Sequence, residues 1–355
     1  MINLLKYNDI DQQQWQTLAN DSPTATWFQT PEAYQFYASV SAEILPFAIG
    51  VVENEKLMGV VMGYVTKECN NWKQFFTRRA IIIGGPLLNE NISEMALSKL
   101  LCAVKSQFNN KQMPFLQKPI YVEMRNFHDY SRWQPIFEQC GFSYQSHLDI
   151  HVLCNETHKM SEQRQRQVKK AIKNGVVIKE ATSEKEIKDW YKILKNLYAE
   201  KIRTPLFSEE FFLQFYRQKV GKYLLVKFQE KVIGGMMCPI LNNSSIYEWY
   251  VCGLDEEYKE QYPSVMATYA AIEHAKKNKI EMFDFMGAGK PNIPYGVRDF
   301  KMEFGGKLVE YGRSLYIRNP FLYEIGKLGV KFLKKNKIHG KKSSNIKEYF
   351  ARYIQ

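Results

Sequence analysis

The strings that could do chemistry in this chain are few and scattered. In RDFKMEFGG (298–306), Arg298 and Lys301 put two cations on a turn between apolar segments. A lysine there can set a compact positive charge beside the oxyanion that develops when an acyl carbon is attacked. Read without that chemistry, it is a solvated turn residue in a lysine-rich chain. In HLDIH (147–151), His147, Asp149 and His151 alternate and so share one face of a strand, a spacing that a metal could use. No third strong ligand stands near them in the sequence, so the reading is hydrogen-bonded histidines at a strand edge and no metal centre. GAGK (287–290) offers the backbone at Gly287 and Gly289 to an anion, but it lacks the GK[ST] ending of a phosphate loop. No GxSxG elbow and no HExxH pair occurs.

Something must position these groups, and the composition is suited to it. The 355 residues are 45% hydrophobic and 24% charged, a foldable balance long enough for about two domains of 100–200 residues. The N-terminal MINLLKYNDIDQQQW turns polar too early for a signal peptide, and no segment approaches the roughly 20 apolar residues of a membrane span. The six cysteines form no CxxC pair, so reduced thiols in a cytoplasmic protein are expected. The formal net charge is +12, which favours an anionic partner, but the excess is local. From Arg318 onward ten basic residues face only Glu324 and Glu348, so the rest of the chain is mildly basic and no general nucleic-acid coat.

A repeat gives the organisation. EKLMGVVM (55–62) and EKVIGGMM (230–237) each join two apolar runs, as in a β-hairpin with a charged turn, at an offset of 175 residues. Before each comes an aromatic helix, capped by Thr30 with Pro31 at its first position, or by Ser208 with acids in its first turn. After each come helices at 93–108 and 264–278, followed by buried strands in IYVEMRN (120–126) and MFDFMGA (282–288). The order of elements predicts an internal duplication, with domains at 1–155 and 156–317 and a basic, amphipathic helical tail over 318–355.

This organisation resembles a tandem pair of GNAT-type acyltransferase folds, a mixed α/β (α+β) sheet that splays open to hold an acyl donor. Two such domains in one chain are similar to the FemABX family of peptidoglycan cross-bridge aminoacyltransferases. The strings that carry the resemblance are GGPLL (84–88), RQRQVKKAIKNGVVIKEA (164–181), LYAEKIR (197–203), FDFMGAG (283–289) and YGVRDFKMEFGGKLVEY (295–311). It implies an enzyme that forms an amide on an amine acceptor, with Lys301 steadying the oxyanion and Arg298 assisting. It also implies that Arg203 and Tyr250 hold an anionic group of a nucleotide-sugar or lipid-linked peptidoglycan precursor. Where family members often carry an aspartate near the acceptor amine, GGPLLNE has Asn89 and then Glu90. Glu90 then takes the base role, or the amine is handled differently.

The donor is read from what is missing. CoA-dependent GNAT domains cradle the pyrophosphate on a glycine-rich turn at a helix N-terminus. The matching places read LLNENISEM and YKEQYPSVM, without glycine, which favours aminoacyl-tRNA over acyl-CoA and implies no bound cofactor. In the tail, Phe321, Ile325, Leu328 and Phe332 recur at helical spacing after Asn319-Pro320, with lysines toward the end. The helix could meet an anionic membrane at its inner face, contact tRNA phosphates, or pack its stripe on the domain. SSNIKEYFARYIQ reads as a further short helix. Two other readings stand beside the leading one: an acyl-CoA- or carrier-protein-dependent N-acyltransferase acting on an amino sugar, and a non-catalytic protein that binds a nucleotide sugar or RNA.

Overall fold

The repeated Glu-Lys phrases fold as matching hairpins. Both central turn residues have positive φ in each: Asn54 at 50° and Glu55 at 68°, then Gln229 at 49° and Glu230 at 59°. These are type I′ turns, whose twist suits a two-residue hairpin. Each hairpin also carries one register shift, between Val51 and Val52 in the first and between Val226 and Lys227 in the second. A turn can recur by local composition, whereas a bulge at the same place belongs to the sheet design.

The computed structural model describes residues 1–68, 71–155, 157–202 and 204–336; Cys69, Arg203 and the segment 337–355, with its expected short helix, lie outside. The chain forms two compact units, one of Met1–Gln145, Ile202–Leu206 and Tyr311 onward, the other of Ser146–Lys201 and Phe207–Glu310.

The first unit runs β1 (Ile2–Lys6), α1 (Gln12–Asp21), α2 (Pro31–Ser39), β2 (Ile44–Glu53), β3 (Lys56–Thr66), α3 (Asn71–Thr77) and β4 (Ala80–Gly84). It continues with β5 (Leu87–Leu88), α4 (Glu94–Asn109), β6 (Tyr121–Asn126), α5 (Gln134–Gln139) and β7 (Ser143–Gln145). The second unit runs β8 (Leu148–Leu153), α6 (Glu162–Lys173), β9 (Val176–Glu180), α7 (Glu184–Leu197), α8 (Glu209–Arg217), β10 (Gly221–Phe228) and β11 (Lys231–Leu241). It closes with β12 (Ser245–Tyr247), β13 (Tyr250–Gly253), α9 (Pro263–Lys277), β14 (Met282–Asp284), α10 (Gly296–Met302) and β15 (Lys307–Glu310). The chain then returns to the first unit with β16 (Arg313–Ile317) and α11 (Pro320–Asn336).

Each sheet has eight strands, and the two orders correspond strand for strand. The first is β1-β2-β3-β4-β6-β16-β7 with β5 on β3; the second is β9-β10-β11-β12-β14-β8-β15 with β13 on β11. In both, a single parallel pair (β4 with β6, β12 with β14) interrupts an otherwise antiparallel ladder. The duplication read from the sequence is therefore present in the fold, and both units are mixed α/β sheets of the kind expected. Buried aliphatic side chains of β2, β3, β4 and β6 pack on α4 and α5 in the first unit. In the second, strands β8, β10, β11, β12 and β14 pack on α6 and α9.

The boundaries differ from those read in the sequence. The slot between β6 and β7 is filled by β16, and the slot between β14 and β15 by β8. The sequence boundaries at 155 and 317 fall just after these two strands; the structural ones fall just before them, at Gln145 and Glu310. An apolar run at a domain border shows that a strand is buried, not which sheet it joins. In the tail, Asn319 caps α11 as expected, its Oδ1 accepting from the Leu322 N–H at 3.1 Å. Leu322 is buried, while Phe321 and Leu328, one heptad apart, are 73% and 65% exposed. Among the described residues no helix is long and apolar enough to cross a membrane, and the five described cysteines are free thiols.

The exchange makes a sharp expectation about truncation. In the second sheet β15 pairs only with β8. A fragment 146–310 keeps every ladder of that sheet and should unfold cooperatively by circular dichroism, whereas 156–317 lacks β8 and should aggregate or melt without a transition. Equal cooperativity of the two fragments would contradict the assignment of β8.

Candidate active site

The site grows from the place where the second sheet opens. β12 runs parallel to β14, with Tyr247 opposite Asp284. The next residue, Glu248, still donates its N–H to the Asp284 carbonyl at 2.9 Å. The chain then turns away, and β13 pairs with β11 alone. In the first unit the same departure is made by Gly84-Gly85-Pro86, where β4 leaves β6 and β5 rejoins β3. Gly84 and Gly85 have φ of 87° and 79°, and a Cβ on Gly84 would lie 2.4 Å from the Thr26 hydroxyl. Glycine fills the bend in one unit; a buried glutamate fills it in the other.

Glu248 is 8% exposed, and burial pushes its carboxyl above the usual range. Its partner is Lys301, which α10 projects inward until it too is 9% exposed. The Lys301 Nζ lies 2.9 Å from Glu248 Oε1 and donates to the carbonyls of Phe285 and Gly287, each also at 2.9 Å. An ammonium has three N–H donors, and here each has an acceptor. The lysine lies on α10, not on the turn read in the sequence, and in this state it is a clamp that ties α10 to the turn after β14. It must give up one of these acceptors before it can serve an oxyanion.

Arg298 is likewise a clamp. Its guanidinium donates to the carbonyls of Ala288 at 2.8 Å, Ile293 at 3.2 Å and Pro291 at 3.4 Å, and to that of Lys290. It thereby shapes the GAGK turn rather than presenting donors to an incoming group. Within that turn Gly287 and Gly289 have φ of 135° and 78°. The Gly287 N–H donates to Asp149 at 2.6 Å and the Ala288 N–H to the Leu148 carbonyl at 2.7 Å, so two amides of the suspected phosphate loop are already engaged.

Behind the turn lies a second cluster. Asp149 and His151 on β8 meet Asp284 on β14, with ligand atoms all within 4.8 Å of one another. His151 Nε2 is 3.4 Å from Asp284 Oδ2. Burial acts against a charge on His151, but the Asp284 carboxylate outweighs it and raises the imidazole's pKa. Burial, with Asp284 nearby, pushes the Asp149 carboxyl well up. Asp149 and His151 alternate on β8, whereas His147 lies just before the strand, and the group that completes the cluster, Asp284, comes from another strand. Glu248 and Asp284 are the residues that sequence reasoning missed. Each is a lone acid in an apolar string, SIYEWYV and MFDFM, and a buried carboxylate must have a partner. That was the available signal.

The remaining candidates lie elsewhere. Tyr250 begins β13 and packs against Phe212 at 5.0 Å and Tyr198 at 6.2 Å between ring centroids. Tyr198–Ile202 is a short π-helix that ends just before Arg203; Arg203 itself is outside the described residues. In the first unit Asn89 closes a turn, its Oδ1 accepting from the Asn91 N–H at 3.0 Å, and Glu90 is exposed beside it.

The helix N-termini where a pyrophosphate would sit are already occupied. At α9, Tyr262 is left-handed with φ 48°, Pro263 has no N–H, and the Ser264 N–H donates to Asp255 at 3.0 Å. At α4, Ser93 Oγ accepts from the Ala96 N–H and donates to Glu53 at 2.9 Å. A carboxylate stands at both ends.

Residues 158–302 match the family model described as Acetyltransferase (GNAT) domain. No curated protein sequence matches the chain. Among solved structures, the crystal structure of FemX aligns with a TM-score of 0.68 at 13% identity, covering 91% of this chain and 99% of that one. L-PGS from Bacillus licheniformis aligns with a TM-score of 0.56 at 11% identity, covering 90% and 96%. A tandem GNAT protein from the clavulanic acid biosynthesis pathway aligns with 0.52 at 8%, covering 89% and 98%. The second unit thus carries a GNAT-type acetyltransferase domain match, and the chain as a whole has the fold of tandem GNAT proteins. More particularly, its fold is similar to that of FemX over nearly the whole length of both chains.

The clamp gives a stability expectation. Lys301→Met leaves Glu248 buried without its cation and should cost about 3–5 kcal/mol in urea unfolding. A cost below about 1 kcal/mol would mean that Glu248 does not depend on the lysine.

Proposed function

We propose that this chain is a FemABX-like aminoacyltransferase that takes an aminoacyl group from aminoacyl-tRNA and forms an amide on an amine acceptor, a peptidoglycan precursor peptide being the acceptor class. The observation that carries the reading is the buried Glu248–Lys301 pair at the opening of the second sheet. The amine nitrogen attacks the ester carbonyl, the carbon–oxygen bond to the tRNA ribose breaks, and the amine's proton passes by way of Glu248 to the leaving oxygen. When Glu248 takes that proton its hold on Lys301 weakens, and the released ammonium donor serves the oxyanion. Lys301 is then both positioning residue and oxyanion donor; Arg298 keeps the turn in place.

The donor preference rests on Asp255 and Glu53. Their carboxylates occupy the helix N-termini of α9 and α4, where a CoA pyrophosphate would meet negative charge and few free amides. The fold likeness to FemX and L-PGS is in keeping with this choice. A second reading, CoA-dependent N-acyl transfer, is favoured by the acetyltransferase description of the matching domain. We assign the acceptor's anionic group to Arg203 and Tyr250, the base role expected of Glu90 to Glu248 instead, and the exposed Phe321–Leu328 face of α11 to peripheral contact with an anionic membrane at the cytoplasmic side.

Radiolabelled aminoacyl-tRNA and acyl-CoA, each offered with a panel of amine acceptors, separate the readings. Transfer from aminoacyl-tRNA is expected, lost by about 100-fold or more in Glu248→Gln. Transfer from acyl-CoA alone would overturn the donor assignment, and unchanged turnover in Glu248→Gln would remove that residue from the chemistry.

A further inference from the structure

We propose that Asp149, His151 and Asp284 form a site for one divalent transition-metal ion, zinc or manganese in class, that clips β8 to β14. Each aspartate has one oxygen fixed and the other directed into the cluster. Asp149 Oδ1 accepts from the backbone N–H of Ile150 at 2.7 Å and of Gly287 at 2.6 Å. Asp284 Oδ1 accepts from the Met286 N–H at 2.6 Å. This is how carboxylate ligands are oriented by their outer partners, with one oxygen held so that the other can bind metal. Asp149 Oδ2 has no hydrogen-bond partner among the described residues, although Asp149 is only 4% exposed. A protein that orphans a buried carboxylate oxygen incurs a desolvation cost which a cation would offset.

The charge count points the same way. Asp149, Asp284 and Glu248 bring three carboxylates to one buried region, against the single ammonium of Lys301, which is tied to Glu248. The Lys301 ammonium being held by Glu248, a divalent ion gives the two aspartates a counter-charge of their own, displacing protons from the cluster. The fold itself does not require these charges. At the matching place in the first sheet, Asn126 stands opposite Gly84 as Asp284 stands opposite Tyr247, and its N–H donates to the Gly312 carbonyl at 3.2 Å where the second sheet has His151. The donor set selects the ion: an imidazole with two carboxylates suits zinc or manganese, whereas calcium needs six to eight oxygens. Ligand atoms within 4.8 Å close to the spacing around zinc with small side-chain rotations.

The site is independent of the transfer chemistry, so its test does not use activity. The full-length untagged chain is stripped with chelator and dialysed, then titrated with Zn2+ or Mn2+ while bound metal is counted by mass spectrometry and thermal unfolding is followed. About one equivalent should bind, and the melting temperature should rise by at least ~3 °C over the chelated protein. Asp149→Asn keeps the Oδ1 acceptor for the backbone amides and should lose both the ion and the shift. Should that variant not fold, His151→Gln provides the same comparison. The proposal is overturned by substoichiometric metal without a melting shift, by an equal shift in the variants, or by stability that follows pH and ignores metal, which would mean that the cluster holds protons instead.

Discussion

A carboxylate inside a protein is tolerated only where its charge is answered, and the second unit buries one at the weakest point of its sheet. Glu248 lies where the chain leaves β14, between β12 and β13, so its environment is set by an opening rather than by continuous strand pairing. Lys301 answers it and at the same time holds two carbonyls of the turn after β14. One ammonium therefore joins the sheet opening, the GAGK turn and α10. Arg298 from the same helix fastens the rest of that turn, so α10 fixes the whole wall beside the opening.

The duplicated architecture sets what can vary. Both sheets share strand order, a single parallel pair, a bulged type I′ hairpin and a bend at the same strand exit. The first unit fills its bend with Gly84 and Gly85 at positive φ and closes it against Thr26 and Tyr130. The second fills it with an acid and a chain of charged partners. The same backbone event is closed by glycines in one unit and by a buried ion pair in the other. β16, which completes the first sheet's slot, comes from beyond the second unit, so the first sheet depends on nearly the full length of chain, whereas β8 lies at the start of its own unit.

Much of this was legible in the residues. The EKLMGVVM and EKVIGGMM phrases disclosed the hairpins and their offset, Thr30-Pro31 and Ser208 marked helix starts, and the missing glycines before α4 and α9 matched helix ends closed by Glu53 and Asp255. What escaped was long-range. No periodicity shows that HLDIH pairs with a strand some 130 residues later, and so Asp284 could not be seen as the third member of the His151 cluster. Arg298 and Lys301 were legible as residues but were read on a turn; they lie on α10, and which acceptors they find depends on where β14 ends. Local sequence fixes turns and caps; strand exchange and buried charge pairing arise from tertiary placement.

The most direct test is a double-mutant cycle on transfer rate with Glu248→Gln, Lys301→Met and the two combined, using one aminoacyl donor and one acceptor under single-turnover conditions. If the two side chains act as one unit, each single substitution should cost nearly as much as the pair, so the losses are strongly non-additive. Independent, additive losses, or a wild-type rate in either single variant, would contradict a shared role at the sheet opening.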